Sequence, residues 1–384
     1  MIDDFKIFLA IGGFLLSFWW LYLLTALFFI FWKIWIYYIQ HRYWHSIEWI
    51  VLEIIPPKRV ERSPKAMEQI FAGIWAIWGT VSTKVDEYIR GVIQEYMSFE
   101  ITSFGGHIHF YIRLPKAHRN MVEAQIFAQY PEAEINLVND YVENVPKKIP
   151  NKDWELWGSR FKLAKPDVYP IRTYQAFEES KPELCVDPLA SLVEVLSKLK
   201  NNEQIWIQML VKPIDDSWQK EGEKVIKEII EKHTVPGQTG LMVRTLSPAE
   251  ESTIKAINNN ISKKGFEVCI RWAYLAPRKV FYKPIVGAVI GCFNQFNDLN
   301  LNGLKPSGIT KANYLFTKLR ADFKKRILFR ELRERSFWEK GFVLNVEELA
   351  TIYHFPSIVV KSLATPRIEM KKAGPPADLP VSSE

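Results

Sequence analysis

The strongest concentration of charge in this chain lies in residues 318–335. This stretch holds eight basic and three acidic residues, whereas the whole chain of 384 residues has a net charge of only +7. Most of the basicity therefore belongs to one segment of helical length. Cations grouped on one helix could bind nucleic-acid phosphates or an anionic membrane surface, because binding releases condensed counterions.

Five cations of this segment form a candidate nucleic-acid-binding set. They are Arg320, Lys324, Lys325, Arg326 and Arg330. The competing interpretation is a solvated helix face with local ion pairs, for example between Glu331 and Arg335 at i,i+4 spacing. Because nearby acidic residues dilute the patch, the sequence favours the solvated face. Nucleic acid and lipid stay as alternatives.

A search for catalytic signatures finds little. His107 and His109 are two residues apart on a predicted strand, so their rings face the same side, as a two-histidine metal site requires. No carboxylate or cysteine constellation accompanies them, which favours ordinary strand histidines. The sequence has no Gly-Lys dipeptide and hence no ordinary phosphate-binding loop, and it has no GxSxG or HExxH motif. We therefore predict a protein that is not an enzyme and that uses no metal or cofactor.

The N-terminal region predicts a membrane anchor over residues 1–45. The 26 residues of 7–32 contain no Asp, Glu, Lys, Arg or His, which is enough to cross a hydrocarbon core of about 30 Å. A cleaved signal peptide has an apolar region of only about 7–15 residues followed by small residues. Here the run is longer, and bulky aromatic residues follow it.

The distribution of cations predicts the orientation of this anchor. Lys6 is the single Lys or Arg before the apolar run, whereas several follow it within the next 33 residues, from Lys33 to Lys65. The positive-inside rule then places the C-terminal bulk in the cytoplasm of a single-pass cytoplasmic-membrane protein. Three widely spaced cysteines without a CxxC pair agree, since they indicate reduced packing cysteines.

Residues 46–145 show the order strand, helix, strand, strand, helix, strand. Apolar periodicity and turn signals carry this prediction, including the Phe104-Gly105-Gly106 turn between the second and third strands. The order is that of a ferredoxin-like, or split βαβ, domain. The predicted elements are a strand at 47–55, a helix at 63–81, strands at 96–103 and 107–114, a helix at 116–129 and a strand at 134–138.

Residues 146–310 predict a second copy of this order with an insertion. Two polar helices at 218–233 and 247–263 interrupt it. The predicted fold class is therefore α+β, with an N-terminal transmembrane helix followed by two tandem ferredoxin-like domains, the second with inserted helices. The remaining elements are strands at 157–163, 205–211, 266–275 and 303–306 and helices at 187–200 and 280–294.

Residues 311–362 and 363–384 differ from the repeats. The first region has the basic helix, predicted over 313–337, and a short helix that starts at Asn345 with Glu348 in a capping-box position. The second region is rich in proline and has no apolar period. Such a composition predicts an extended or disordered tail.

Three short motifs accompany the anchor: SPKAMEQIF at 63–71, NVEELATIYHFP at 345–356 and PRIEMKKAGPPADLP at 366–380. Together they resemble the N-terminal, membrane-proximal region of bacterial conjugative-transfer, type IV secretion-like proteins, and the resemblance extends from about Ile47 to Pro380. In fused members of that family this region precedes a DNA-pumping motor ATPase, whereas this chain stops at Glu384. The resemblance therefore implies that the motor is a P-loop ATPase on a separate chain.

The same resemblance implies where that ATPase docks. The candidate docking residues are Tyr353, His354, Phe355, Pro356, Pro375 and Pro376. The expected function is a non-enzymatic platform, anchored in the cytoplasmic membrane, that assembles with a transfer or secretion ATPase. The alternative is a membrane-tethered nucleic-acid-binding module acting through the basic helix, and self-association of the chain stays open.

Overall fold

The computed structural model describes residues 19–57, 60, 62–81, 83–178, 186–236, 242–244, 246–337 and 340–356. The chain divides into two compact units. The first comprises residues 1–48 and 79–95, and the second comprises residues 49–78 and 96–384. Residues 79–95 therefore belong to the first unit, although in the chain they follow the first strand and the first helix of the second unit.

The first unit is built on one long helix, α1 (Trp19–Ser46). Its most apolar window has a mean hydropathy of 1.6 and no buried residue. Trp, Phe, Leu and Ile side chains are exposed along most of its length. This N-terminal helix is long and apolar enough to cross a membrane.

Residues 79–95 pack against α1. The ring of Tyr88 stacks on that of Trp32 with 6.0 Å between centroids. Gly91 has a positive φ of 69°, and a Cβ at this position would lie 2.5 Å from the backbone carbonyl carbon of Ile39. Glycine permits both the backbone conformation and the close approach.

The second unit contains a nine-stranded sheet, within the described residues, in which all pairs are antiparallel. The strand order is β10-β5-β9-β6-β2-β3-β1-β4, and β11 pairs with β9 beside this path. The sheet strands are β1 (Trp49–Ile55), β2 (Met97–Phe104), β3 (His107–Pro115), β4 (Glu134–Val138), β5 (Trp154–Leu163), β6 (Gln204–Pro213), β9 (Gly265–Pro277), β10 (Leu304–Ser307) and β11 (Phe342–Asn345).

Helices connect these strands in two similar series. Between β6 and β9 two helices and a small hairpin are inserted, and two further helices follow β10. The helices are α2 (Lys65–Ile74), α3 (Arg119–Gln129), α4 (Ala190–Ser197), α5 (Trp218–Lys232), α6 (Pro248–Ile261), α7 (Ile285–Phe293), α8 (Thr317–Glu334) and α9 (Val346–Ile352), and the hairpin is β7 (Thr234–Pro236) with β8 (Met242–Arg244). The prediction of a mixed structure with an N-terminal apolar helix and an antiparallel sheet is confirmed.

The two series share one sheet. β2 pairs with β6 over the whole length of β2, from Met97 opposite Val211 to Phe104 opposite Gln204. The predicted domain boundary between residues 145 and 146 therefore falls between two halves of one continuous sheet. Each half has the same internal order, because β1 lies between β4 and β3, and β5 lies between β10 and β9.

The sheet has two differently covered faces, since successive side chains of a strand point to opposite sides. The larger core packs α2, α3, α4, α7 and α9 on one face, with Phe71, Phe99 and Trp272 fully buried there. The opposite face carries a smaller cluster in which Leu328, Phe329 and Leu332 of α8 pack on the strands. Helix α8 and the segment 141–149 therefore cover that second face.

Candidate functional site

A row of mostly polar residues crosses the face of the sheet on which α8 packs. Its members are direct neighbours in the strand register, and together they span eight strands. In order from β4 to β10 the row is Asn136, Glu53, Tyr111, Glu100, Gln208, Arg271, Arg160 and Ser307. Polar groups buried in this way must be hydrogen-bonded to be tolerated.

Arg335 satisfies the centre of this row. It follows α8 with a positive φ of 48°, and its guanidinium donates to Glu100 at 3.0 and 3.1 Å and to Asp140 at 2.5 and 2.9 Å. Ser98 and Tyr141 also donate to Glu100, at 2.6 and 2.5 Å. Burial, reinforced by the Glu100 carboxylate, raises the pKa of Tyr141 well above its usual value. This hydroxyl therefore stays protonated and able to donate, and the cluster is a closed structural network.

The candidate nucleic-acid-binding cations are largely engaged within the protein. Lys325 pairs with Glu155 of β5 at 2.8 Å. Arg320 donates to the backbone oxygen of Asn313 at 3.1 Å. Lys324 lies 3.4 Å from the backbone oxygens of Ile309 and Lys311.

Arg320, Arg326 and Arg330 are the three members of that set that are exposed on α8, whereas Lys324 and Lys325 are half-buried. Glu331 pairs with Arg160 of β5 at 2.6 Å. The local ion pair with Arg335 considered from the sequence is not formed, because Arg335 turns into the core. The basic helix α8 therefore has a structural role, because Lys325 and Glu331 form ion pairs with residues of β5.

The candidate docking residues at the end of α9 lie inside the protein. Tyr353, His354, Phe355 and Pro356 are all buried. The ring of Tyr353 meets Phe99 at 5.1 Å between centroids, and His354 Nε2 lies 3.0 Å from Asp187. These four residues therefore anchor the C-terminal segment in the core and do not form an exposed surface.

The other two candidate docking residues, Pro375 and Pro376, lie outside the described residues. The capping box of α9 is present, because the Asn345 side chain accepts from the Glu348 backbone and the Glu348 side chain accepts from Asn345. The helix is followed by the buried residues 353–356. The predicted capped helix is therefore confirmed, whereas the residues after it are buried rather than exposed.

The two strand histidines do not come together with other metal ligands. His109 Nδ1 lies 2.6 Å from Glu53 Oε1, and its ring stacks on Tyr111. His107 is exposed. Within the described residues no group of three His, Cys, Asp or Glu residues is placed to hold a metal ion.

An exposed apolar surface lies at the start of α8. We call it the α8 patch and define it as Tyr314, Leu315, Phe316, Leu319 and Phe323. Their side chains are between 66% and 87% exposed. A soluble protein rarely leaves large apolar side chains clustered in water, so such a surface marks an interaction site.

The backbone of this patch is unusual as well. Tyr314 and Phe316 have positive φ values of 70° and 54°. Residues other than glycine rarely adopt this region, which costs about 1–2 kcal/mol for each residue. Because both side chains are exposed, packing of those side chains does not offset this cost.

A cavity of about 480 Å³ opens between β1, β3 and β4. Its wall includes Trp49, Arg113, Leu137, Asn139 and Asp140. Arg113 is only 8% exposed, and its guanidinium lies 4.1 Å above the centre of the Trp49 ring. Burial, together with the nearby charge of Arg335, lowers the pKa of Arg113 to about 10. The side chain is therefore still a cation near neutral pH.

Residues 46–368 match the family described as a domain of unknown function, DUF8128. The chain belongs to the DUF8128 family. The DUF8128 match starts at the last residue of α1 and includes the sheet, the α8 patch and the cavity. No curated protein matches the chain.

Sequence patterns singled out neither Glu100, Asp140 nor Arg113 of this DUF8128 protein. A usable signal existed in β2, where Ser98, Glu100 and Thr102 alternate with apolar residues. Such alternation normally indicates a solvated face. Only the docking of α8 and Arg335 makes that face a buried one.

Proposed function

We propose that this DUF8128 protein is a membrane-anchored, non-enzymatic platform that docks a P-loop ATPase supplied as a separate chain. The observation that carries the proposal is the α8 patch, an exposed apolar surface in a chain that also has an apolar helix, α1, of membrane-spanning length. In this proposal the protein is a single-pass protein of the cytoplasmic membrane with its C-terminal bulk in the cytoplasm.

The first unit supports the membrane part of the proposal. Helix α1 exposes apolar side chains along its length, which water would disfavour and lipid would accept. The packed segment 79–95 adds exposed Val85 and Ile89 near Tyr88. Apolar exposure in this unit is therefore not limited to one helix, and a membrane or its interface would cover both elements.

The second unit supports the platform part. We infer that each half of the sheet is a ferredoxin-like unit, because each has the order β-α-β-β-α-β and places its first strand between its fourth and third. Pairing of β2 with β6 joins the halves. One continuous sheet is a rigid support, which suits a protein that positions a partner.

The α8 patch is a better docking surface than the end of α9. The four described residues at the end of α9 are buried, whereas the patch is open to a partner. Helices that bind membrane surfaces carry many Lys and Arg residues on their polar face. Here Arg320 and Lys324 donate to backbone oxygens and Lys325 pairs with Glu155. This arrangement favours a protein partner over a lipid surface.

The identity of the partner rests on the sequence resemblance alone. Conjugative-transfer and type IV secretion-like proteins couple a similar membrane-proximal region to a DNA-pumping ATPase. The P-loop ATPase is therefore the part of the proposal that needs the most direct test.

The test is affinity purification of the tagged, detergent-solubilised full chain, with mass spectrometry of the proteins that copurify. We expect an identified P-loop ATPase to copurify with the native chain and to be lost with the double variant Leu319→Glu, Phe323→Glu. A matched control is Leu299→Glu, since Leu299 is an exposed leucine in a loop outside the patch. This control should retain the ATPase.

Two results would overturn the proposal. One is the absence of a P-loop ATPase from the native purification after chemical crosslinking in cells. The other is extraction of the protein from membranes by alkaline carbonate, which removes peripheral proteins and leaves spanning helices in place. ATP hydrolysis by the purified chain itself would contradict the non-enzymatic part.

A further inference from the structure

We propose that the cavity between β1, β3 and β4 is a binding site for a phosphate group held by Arg113. The group is a singly charged phosphate, as in the phosphodiester of a phospholipid headgroup. The site has three supporting features: a buried cation with an unsatisfied donor, a guanidinium in a fixed orientation, and a neighbouring carboxylate that limits the charge of the ligand.

Arg113 is a buried cation with an unsatisfied hydrogen-bond donor. Its Nη1 atom is buried and makes no hydrogen bond among the described residues. A buried charge is costly unless it is paired. Arg113 also lines the cavity, so an anion that entered the cavity would lie beside this guanidinium and reduce the cost of burying its charge.

The neighbouring carboxylates do not fill this role, because Arg335 uses them. Glu100 and Asp140 each accept two hydrogen bonds from the Arg335 guanidinium. Arg113 and Arg335 therefore lie near the same two carboxylates, but Arg335 makes all of the hydrogen bonds to them. Arg113 can then donate to a different anion.

The guanidinium is held in a defined orientation. It lies over the Trp49 ring at 4.1 Å, and Trp49 in turn packs against Tyr96 with 5.2 Å between ring centroids. A planar guanidinium presents a rigid fork of donors that matches two oxygens of a phosphate. Stacking on an indole engages the face of a guanidinium and does not use the donors on its edge.

The opposite wall limits the charge of the ligand. Asp140 lines the cavity, and its side chain is 28% exposed. Because its carboxylate would repel a doubly charged phosphate monoester, the site favours a monoanion. Asn139 lies beside it in the wall, and its amide is of a type that can donate to a phosphate oxygen.

A lipid is the proposed source of the phosphate, and this source rests on the proposed membrane anchoring. In the chain, Trp49 of the cavity wall follows Ser46, the last residue of α1, by three residues. Leu137 in the cavity wall is 57% exposed, as suits contact with the apolar part of a lipid.

The test uses the full chain in detergent, the variant Arg113→Met and the control Arg330→Met, which removes an exposed arginine of α8. In native mass spectrometry we expect the native chain and the control to retain one phosphatidylglycerol. Arg113→Met should bind it at least about tenfold more weakly, a difference of about 1.4 kcal/mol. Equal retention by all three chains would overturn the proposal.

Thermal unfolding separates the two sources of phosphate. Stabilisation of the native chain by phosphatidylglycerol, but not by inorganic phosphate, would assign the site to lipid. Stabilisation by inorganic phosphate alone, lost in Arg113→Met, would assign it to a free phosphate and would hold even if α1 did not span a membrane. Stabilisation by neither would overturn the proposal.

A folding control keeps this result interpretable. Because Nη1 makes no internal hydrogen bond, Arg113→Met should lose little more than the stacking on Trp49 and should unfold within about 4 °C of the native chain without phosphate. A larger decrease would identify a structural cation and overturn the proposal. Copurification of the ATPase is scored in the same variant and should be unchanged, so that failure of the platform and failure of the phosphate site are distinguishable.

Discussion

The guanidinium of Arg335 and the carboxylate of Glu100 meet through two hydrogen bonds of 3.0 and 3.1 Å, and both side chains are completely buried. The two residues are 235 positions apart in the chain. Their pairing fastens the end of α8 to the middle strand of the sheet. It also lets a left-handed arginine, an unfavourable backbone state, persist in the core.

Removing one partner of this pair should strongly destabilise the second unit. We expect Glu100→Gln or Arg335→Met to lower the free energy of unfolding by about 3–5 kcal/mol, because each leaves a buried charge without its full complement. Chemical denaturation monitored by tryptophan fluorescence measures this change. The double variant should lose less than the sum of the two single variants, and strict additivity would contradict the proposed coupling.

Glu348 should make stability depend on pH. Burial is the main cause that raises the pKa of Glu348, from 4.5 to about 8, and the charges of Glu347 and Asp167 add to it. Since the folded value is above the unfolded one, the stabilising contribution is fully present below pH 4.5 and is lost as the pH rises through about 8.

The variant Glu348→Gln isolates this contribution. Between pH 5 and 8, the unfolding free energy of the native chain should fall relative to the variant by up to about 1.4 kcal/mol per pH unit. The variant itself should cost about 1 kcal/mol at low pH, because an amide cannot accept from both Asn345 and Ile171. Glu194→Gln, at an exposed site on α4, is the control and should follow the native pH curve. If the difference in unfolding free energy between the native chain and Glu348→Gln did not change with pH, the raised pKa of Glu348 would be contradicted.

DNA binding through α8 should be weak and only slightly dependent on salt. Arg320, Arg326 and Arg330 are the exposed members of the candidate set, and three phosphate contacts give a log–log slope of about −2.7 on duplex DNA. Fluorescence anisotropy at several salt concentrations gives this slope. A slope steeper than about −4 that was abolished by Arg326→Glu with Arg330→Glu would restore the nucleic-acid-binding alternative.

Gly91 should be the most sensitive position in the segment that packs on α1. In Gly91→Ala the new Cβ would meet the Ile39 backbone in addition to the unfavourable φ. We expect faster proteolysis within 79–95, measured by limited digestion and mass spectrometry. Gly79→Ala is the matched control, since Gly79 also has a positive φ but nothing lies within 4 Å of a Cβ there. Equal digestion of the two variants would show that close packing on α1 is unimportant.

Much of the local structure was predictable from periodicity and caps. The strand at Glu134–Val138 agrees with the prediction at both ends, and the capping box predicted at Asn345 is formed. Helix α8 is shorter than its predicted range, since it covers Thr317–Glu334. The helix predicted through residue 81 ends earlier, because α2 stops at Ile74 and a short 3₁₀ turn follows.

The candidate sites were less predictable, because side-chain chemistry does not reveal direction. The YHFP segment after α9 has residue types that suit a docking surface, yet all four pack in the core. Lys325 has the same sequence character as Arg326, but Lys325 reaches Glu155 on β5 at 2.8 Å and Arg326 faces solvent. Whether Lys325 can bind a nucleic acid therefore depends on Glu155, which lies 170 positions away in the chain.

The amino-acid sequence by itself determined the apolar N-terminal helix, the alternation of strands and helices and the positions of the turns, because these depend on side-chain patterns within a few residues. Tertiary structure alone decided that β2 joins β6, that Arg335 enters the core and that Arg113 lines a cavity without a partner for Nη1. These outcomes arise from pairing of strand edges and charges far apart in the chain. No local pattern specifies them, since each edge or charge has several candidate partners until the whole sheet is assembled.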